Sequence, residues 1–332
     1  MRARILGLLR ENMPEPVSGE DISIQLGVSR TAVWKHIQSL KNAGYDIESV
    51  PKKGYILHKV PDLLRPEEIV AHLSTKWVGH HIHYLKEASS TNDVGKSLAD
   101  KDCADGTLIV AEEQTRGKGR LSRGWFSPAG CGVWCSVVLR PPFLPSEASK
   151  CTLLAAVAII KAINKYRGVN AKIKWPNDVL LEGKKMVGIL TEMSAEFGRI
   201  NYIVIGTGIN TNVPKSIIPE ELKELAISVA DVAEEPICRV QLLADYLRNI
   251  EDLYETVLKE GFGPVLDEWR TYSDTLGQAV KVIAPDKTYF GIAVDIDEEG
   301  LLIVRKEDGT LEKVIAGDVS IRPATALGKR YS

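Results

Sequence analysis

The stretch Gln114-Thr-Arg-Gly-Lys-Gly-Arg-Leu-Ser-Arg-Gly-Trp125 places three glycines and four cationic side chains in twelve residues. It follows an apolar run, Thr107-Leu-Ile-Val-Ala111, that reads as a buried strand. Glycine frees the backbone to turn and to approach a ligand, while lysine and arginine seek anions. Known phosphate loops do not fit: a P-loop needs Gly-Lys-Ser/Thr opening a helix, and Ser122 stands where the dinucleotide fingerprint needs a third glycine. Downstream, Trp125-Phe126 and Gly132-Val-Trp-Cys-Ser-Val-Val-Leu139 read as further strand. The stretch is therefore expected to be a loop between two strands that holds an anion with arginine forks. A solvated basic hairpin is the alternative reading.

With 332 residues, 44% of them hydrophobic, the chain can bury a core of two or three domains. A net charge of -2 excludes a uniformly basic nucleic-acid binder, yet residues 1 to 60 carry nine Lys/Arg against six Asp/Glu. From Gly27 to Lys59 the ratio is six to two, which predicts a locally basic surface. Five cysteines without a Cys-x-x-Cys pair indicate neither a disulfide framework nor a zinc site and fit a reducing cytoplasm. The N-terminal apolar run is too short for a signal sequence, and Cys151 to Ile160 has the length of a core helix, so no membrane segment is expected. All six histidines lie at or before His83. Chemistry beyond that point must proceed without histidine, which disfavours Ser-His or Cys-His nucleophiles and His-ligated metals. His80, His81 and His83 read as a solvent-facing strand edge rather than a metal site.

Upstream, Ile5, Leu8 and Leu9 have helical spacing, Ser18-Gly-Glu-Asp21 has the form of a helix cap, and Gly27 is a stop. Ser29 then caps a second helix, Arg30 to Ala43, completing a helix-turn-helix. Val33, Ile37 and Leu40 can face its core, leaving Arg30, Thr31, Lys35, Gln38 and Lys41 for phosphates and base edges. Tyr45 to Leu57 reads as a hairpin wing whose tip, Pro51-Lys-Lys-Gly54, adds Lys52 and Lys53. A small helical protein-interaction domain is the competing reading; cations on the second helix and the wing tip together favour DNA.

Beyond a short linker and a helix over 65 to 73, a mixed α/β region begins. In Ser89-Ser-Thr-Asn92, Ser90 or Thr91 can cap a helix running to about Asp100. Ser146 to Arg167 reads as a long core helix. A rigid Trp175-Pro176 corner presents Asn177 and Asp178, and a Glu182-Gly183 turn brings Lys184 or Lys185 close to them, an arrangement suited to a magnesium nucleotide. Gly206-Thr-Gly-Ile-Asn210 ends a strand where a ligand can approach backbone, with Asn210 able to read a base edge. Helices follow over 240 to 260 and 265 to 273, then about five short strands that read as a small barrel.

Taken together, Ser89-Ser-Thr-Asn92, Gln114 to Trp125, Lys174-Trp-Pro-Asn-Asp178, Lys185-Met-Val-Gly-Ile-Leu190 and Gly206-Thr-Gly-Ile-Asn210 resemble, in order and spacing, the bifunctional biotin protein ligases and biotin operon repressors. The resemblance covers nearly the whole chain. It implies an α+β multidomain protein: a winged helix-turn-helix (1–60), a linker (61–66), a mixed α/β biotinyl-ligase domain of the class II aminoacyl-tRNA synthetase type (67–273), and an SH3-like β-barrel (274–326). It further implies that biotin and ATP, with Mg2+, give biotinoyl-adenylate, and that a lysine of a biotin carboxyl carrier protein accepts the biotinyl group. With adenylate bound, two subunits are expected to pair and occupy operator DNA.

By the same resemblance, Lys185 and Arg120 are catalytic. Ser90, Thr91, Gln114, Gly117, Gly206 and Gly208, with Arg120 and Lys185, meet biotin. Lys118, Arg120, Arg123, Trp125, Asn177, Asn210 and Arg322 serve the nucleotide, and Asp178 the metal. The loop departs from the family pattern Gly-Arg-Gly-Arg-x-Gly-Arg-x-Trp. Lys118 replaces an arginine, Ser122 a glycine expected to need a positive φ, and Arg116 a small residue. Two other readings are a biotin-sensing repressor without catalysis and a lipoate-type ligase of similar fold.

Overall fold

The computed structural model describes residues 1–283, 288–314 and 318–321, without the side chains of Ser122 and 318–321. Contacts divide the chain into residues 1–73 and 74–332.

In the first unit, serine caps set the helices. Ser18 Oγ accepts from Asp21 N at 3.0 Å and Ser29 Oγ from Ala32 N at 3.2 Å, each satisfying one N–H that a helix start leaves orphaned. Helix α1 spans Arg2–Glu11, α2 Gly19–Leu26 and α3 Arg30–Asn42. Gly27, at φ 66°, ends α2 in the left-handed conformation that glycine adopts without strain. Strands β1 (Asp46–Val50) and β2 (Gly54–Lys59) pair as the expected wing. Val33, Ile37 and Leu40 are buried as expected; on α1, Leu6 turns fully inward and Leu8 only partly. Helix α4 (Pro66–His72) belongs to this unit, which runs past the expected linker. Its buried Glu68 accepts from Tyr45 Oη at 2.5 Å and from the Arg10 guanidinium, pairing a charge that burial would otherwise penalise.

The second unit is built on a seven-stranded sheet of order β3-β4-β7-β11-β10-β9-β8. Strand β3 is Ile82–Leu85, followed by α5 (Thr91–Ala99) and β4 (Leu108–Ala111). The basic stretch then forms its own two-stranded hairpin, β5 (Gln114–Lys118) with β6 (Gly124–Ser127). The expectation of a loop from 114 to 125 is corrected accordingly: Gln114, Gly117 and Lys118 pair with Ser127, Trp125 and Gly124, leaving residues 119–123 as the turn. Strand β7 (Gly132–Leu139) returns to the sheet, and α6 (Lys150–Ile163) is shorter than the expected 146–167, preceded by a 3-10 turn at Pro145–Glu147. Strands β8 (Lys172–Lys174), β9 (Asp178–Leu181), β10 (Lys184–Glu196) and β11 (Arg199–Asn210) complete the sheet.

Helices α7 (Ala230–Ala233), α8 (Arg239–Glu260) and α9 (Gly263–Tyr272) follow. Strands β12 (Ala279–Ile283), β13 (Thr288–Ile296), β14 (Leu302–Arg305), β15 (Leu311–Val314) and β16 (Asp318–Ile321) make a five-stranded antiparallel sheet of order β15-β14-β13-β12-β16.

Because side chains alternate along a strand, β11 serves two layers. Thr207 points to α8, where its Oγ1 lies 2.7 Å from Tyr246 Oη, while the face of Val204 and Gly206 meets α5. Helix α6 carries the main apolar burial, Leu153, Leu154, Val157, Ile159 and Ile160 all being buried. Each such side chain contributes roughly 1.5–3 kcal/mol.

Candidate functional site

On the α5 face of the sheet lies a cavity of about 450 Å³ with two chemically different ends. At one end the groups are neutral and preorganised. Gln114 Oε1 accepts from Thr91 N at 2.8 Å and Thr91 Oγ1 at 3.1 Å, and Gln114 Nε2 donates to Ser127 Oγ at 2.9 Å. Ser90 is the N-cap residue of α5, yet its side chain makes no cap hydrogen bond; Gln114 supplies the acceptor instead. Below them the fully buried Ser136 Oγ lies 2.8 Å from Thr91 Oγ1 and 2.6 Å from Asn92 Oδ1. Asn92 Nδ2 donates to Leu190 O and Glu192 Oε2, stapling α5 to β10. Gly206 makes this possible, since a Cβ there would sit 2.0 Å from Asn92 Oδ1.

The other end is cationic. Arg120 and Lys185 meet Asn177 and Asp178 there; Lys118, Arg123 and Lys174 also line the cavity, in which Asp178 is the one carboxylate among the described residues. The cis bond between Trp175 and Pro176 makes a corner that Trp175 anchors, its N donating to Thr275 Oγ1 at 3.0 Å and its Nε1 to Gly300 O at 3.1 Å. Glu182 (φ 51°) and Gly183 (φ 75°) form the tight turn between β9 and β10. Of the two lysines after it, Lys185 enters the cavity, its Nζ 2.7 Å from Asp178 Oδ1; Lys184 pairs with Glu224 instead. Asn177 Oδ1 accepts from Arg120 at 3.4 Å while its Nδ2 donates to Ile189 O.

Between the ends stands Trp125. Its indole rests on Gly188 and Gly208, which face each other across β10 and β11; an added Cβ would come within 2.8 Å of the ring at Gly188 and 2.2 Å at Gly208. Lys185 Nζ is 5.2 Å from the ring centre, within cation–π range. Trp125 Nε1 is buried with no hydrogen-bond partner, so a ligand acceptor would satisfy it.

Asn210 also lines this cavity, whereas Gly117 does not: a Cβ there would meet Trp125 O at 2.5 Å, so this glycine serves the β5–β6 pairing. Arg116 is exposed and outside the cavity. The left-handed residue of the turn is Leu121, at φ 54°. Arg322 lies outside the described residues. Sequence reasoning left out Asn92, although it stands in the quoted Ser-Ser-Thr-Asn, and Ser136, which a run of strand-forming residues conceals. It also missed that Lys118 pairs with Asp93 at 2.7 Å.

In the first unit, Arg30, Thr31, Lys35, Lys52 and Lys53 are exposed and Gln38 and Lys41 partly so, with Lys41 Nζ donating to Ser49 Oγ on the wing.

Residues 2–56 match the profile of an HTH domain, 84–210 that of the biotin/lipoate A/B protein ligase family, and 275–322 that of the biotin protein ligase C-terminal domain. The bifunctional ligase/repressor BirA of Bacillus subtilis is 40% identical over 321 residues, 97% of this chain and 98% of that protein. This chain belongs to the bifunctional ligase/repressor BirA family. The Escherichia coli BirA is 33% identical, covering 92% of this chain and 93% of its own. A solved structure, the biotin protein ligase of Aquifex aeolicus in complex with biotin and ATP, superposes with a TM-score of 0.64 at 28% identity, covering 74% of this chain and all of that one.

Proposed function

We propose that this chain is an ATP-dependent biotin ligase that activates biotin as biotinoyl-5'-AMP, transfers it to a lysine of a biotin carboxyl carrier protein, and represses biotin genes in response. The observation that carries the reading is the two-ended cavity. A neutral donor and acceptor array built on Thr91 and Gln114 suits a ureido ring, and the cations around Lys185 suit a carboxylate beside a phosphate. Unmatched buried polar groups cost about 1–3 kcal/mol each, so the neutral end disfavours a ligand without a ureido group, such as lipoate.

In the first step a biotin carboxylate oxygen bonds to the α-phosphorus of ATP while the bond to pyrophosphate breaks. Lys185 and Arg120 offset the negative charge gathered there, and Arg123 and Lys118 hold phosphate. In the second step the carrier amine bonds to the biotinyl carbonyl carbon, AMP departs, and the amine loses a proton. Neither step requires a protein nucleophile, which agrees with a cavity lined without histidine.

Among the described residues no cluster of three or more His, Cys, Asp or Glu makes a metal cage. A Mg2+ ion carried by ATP needs only one or two protein carboxylates, and the presence of Asp178 in the cavity lining supports its supplying one. The strand edge beyond Leu190 of β10 is paired by β11 alone among the described residues, which supports pairing with a second subunit. The five cysteines are all free, which supports a reducing, cytoplasmic site of action; no described helix is long and apolar enough to cross a membrane.

Intact-mass measurement of a biotin carboxyl carrier domain incubated with this protein, biotin, ATP and Mg2+ tests the ligase. The expected result is one biotinyl adduct on its lysine. Biotin binding without an adduct would leave only a sensor.

A further inference from the structure

Helix α3 buries Val33, Ile37 and Leu40, and its opposite face carries Thr31, Trp34, Lys35 and Gln38 at i, i+3, i+4 and i+7. Trp34 is 53% exposed. A tryptophan on the solvated face of a helix leaves a large apolar ring in water, and tryptophan is enriched among the residues that anchor interfaces. Arg30 and Lys35 are exposed on the same helix, Arg30 with Glu20 at 3.9 Å, and Lys52 and Lys53 are exposed on the wing. That charge complements a polyanion.

We infer that Trp34 is a base-reading residue whose indole packs against a thymine methyl group in the major groove. The inference rests on the repressor reading and deepens it. Indole donates a single hydrogen bond and accepts none, so it cannot form the bidentate contacts by which Arg, Asn or Gln read bases. What its ring can recognise is apolar surface. In a DNA groove that surface belongs to sugars, which every sequence offers, and to the thymine C5 methyl, which distinguishes one base from the rest. Lys35 and Arg30 position the helix through phosphates, and Trp34 adds discrimination.

The test uses the full-length protein with biotin and ATP, and duplexes that it selects from a randomised pool. Each thymine of the selected site is then replaced by deoxyuracil, which removes only the methyl. We expect at least one such replacement to weaken wild-type binding by about threefold or more, and Trp34→Ala to lose roughly tenfold on the intact site. Trp34→Ala should also become indifferent to that methyl, with its salt dependence and its rate of biotinyl transfer unchanged. Trp34→Phe should retain part of the methyl response. Wild-type affinity in Trp34→Ala, or an equal loss on uracil in wild type and variant, would overturn the inference. So would a change in self-association with DNA binding intact. No sequence enrichment by the wild-type protein would remove the repressor reading itself.

Discussion

Lys185 Nζ lies 2.7 Å from Asp178 Oδ1, the pair standing on adjacent strands joined by a tight turn. The carboxylate holds the ammonium at the cationic end of the cavity while leaving it 36% exposed, so Lys185 can exchange this partner for a substrate oxygen. Replacing Lys185 with Ala should lower the rate of biotin-dependent pyrophosphate release by roughly 10²- to 10³-fold, the usual cost of removing one fixed donor at a developing charge. Biotin affinity measured by calorimetry without ATP should fall far less. An equal loss in both measurements would mean that Lys185 only binds.

Two glycines on one face of β11 make separable predictions. Gly206→Ala should weaken biotin binding, because its Cβ would displace the Asn92 amide 2.0 Å away and with it the Ser136–Thr91 array. Gly208→Ala should raise the KM for ATP instead, since its Cβ would strike the Trp125 indole. Titration of each variant with biotin alone, followed by ATP kinetics at saturating biotin, separates them. Identical profiles would count against the two-ended cavity.

Lys118 Nζ pairs with Asp93 Oδ1, and Asp93 also faces Lys96, which reaches Glu192 at 2.6 Å. Burial raises the Asp93 carboxyl, but hydrogen bonds and charge from Lys118 and Lys96 outweigh it and hold the group below its ordinary range. The link therefore persists near neutral pH and is lost only as pH falls through that lowered value. An exposed pair of this kind contributes about 0–1 kcal/mol, so Asp93→Asn should speed the escape of biotinoyl-adenylate by up to about fivefold. Following labelled adenylate as it leaves preloaded protein gives the answer. An unchanged escape rate would show that the hairpin does not depend on this contact.

Glu251 on α8 accepts from Lys76 N at 2.7 Å and from Trp77 N and Val78 N at 2.9 Å. Burial raises its pKa, and the three backbone donors more than offset this, leaving it below the ordinary value. With the folded value depressed, the stabilisation is present above the unfolded glutamate value of about 4.3 and disappears as pH falls through the folded one. Glu251→Gln should thus lower Tm at pH 7, and the gap from wild type should close in acid. A gap constant with pH would refute the assignment.

Much of this was legible in the sequence. Ser29 and Gly27 announce the helix-turn-helix because caps and stops act through local backbone chemistry, and Glu182-Gly183 announces the β9–β10 turn for the same reason. The pairing of Gln114 with Ser127 was hidden, since a glycine-rich stretch looks alike as loop or strand until a partner is in place. Ser136 was hidden for another reason. Only the sheet order, with β7 beside β4 and β11, brings it beneath Thr91 and Asn92, forty-four residues earlier in the chain than Ser136 in the second case. The residues alone left Lys184 and Lys185 equal; the family resemblance singled out Lys185, and the register supplies the reason.

That choice makes the Glu182-Gly183 turn a gauge. Successive residues of a strand face opposite ways, so which of two identical side chains enters the cavity depends on the number of residues between Leu181 and β10. One residue inserted there would deliver Lys184 where Lys185 now stands, or turn both away. Which ammonium enters the cavity is in this sense a matter of counting, held by a two-residue turn that does not itself line it.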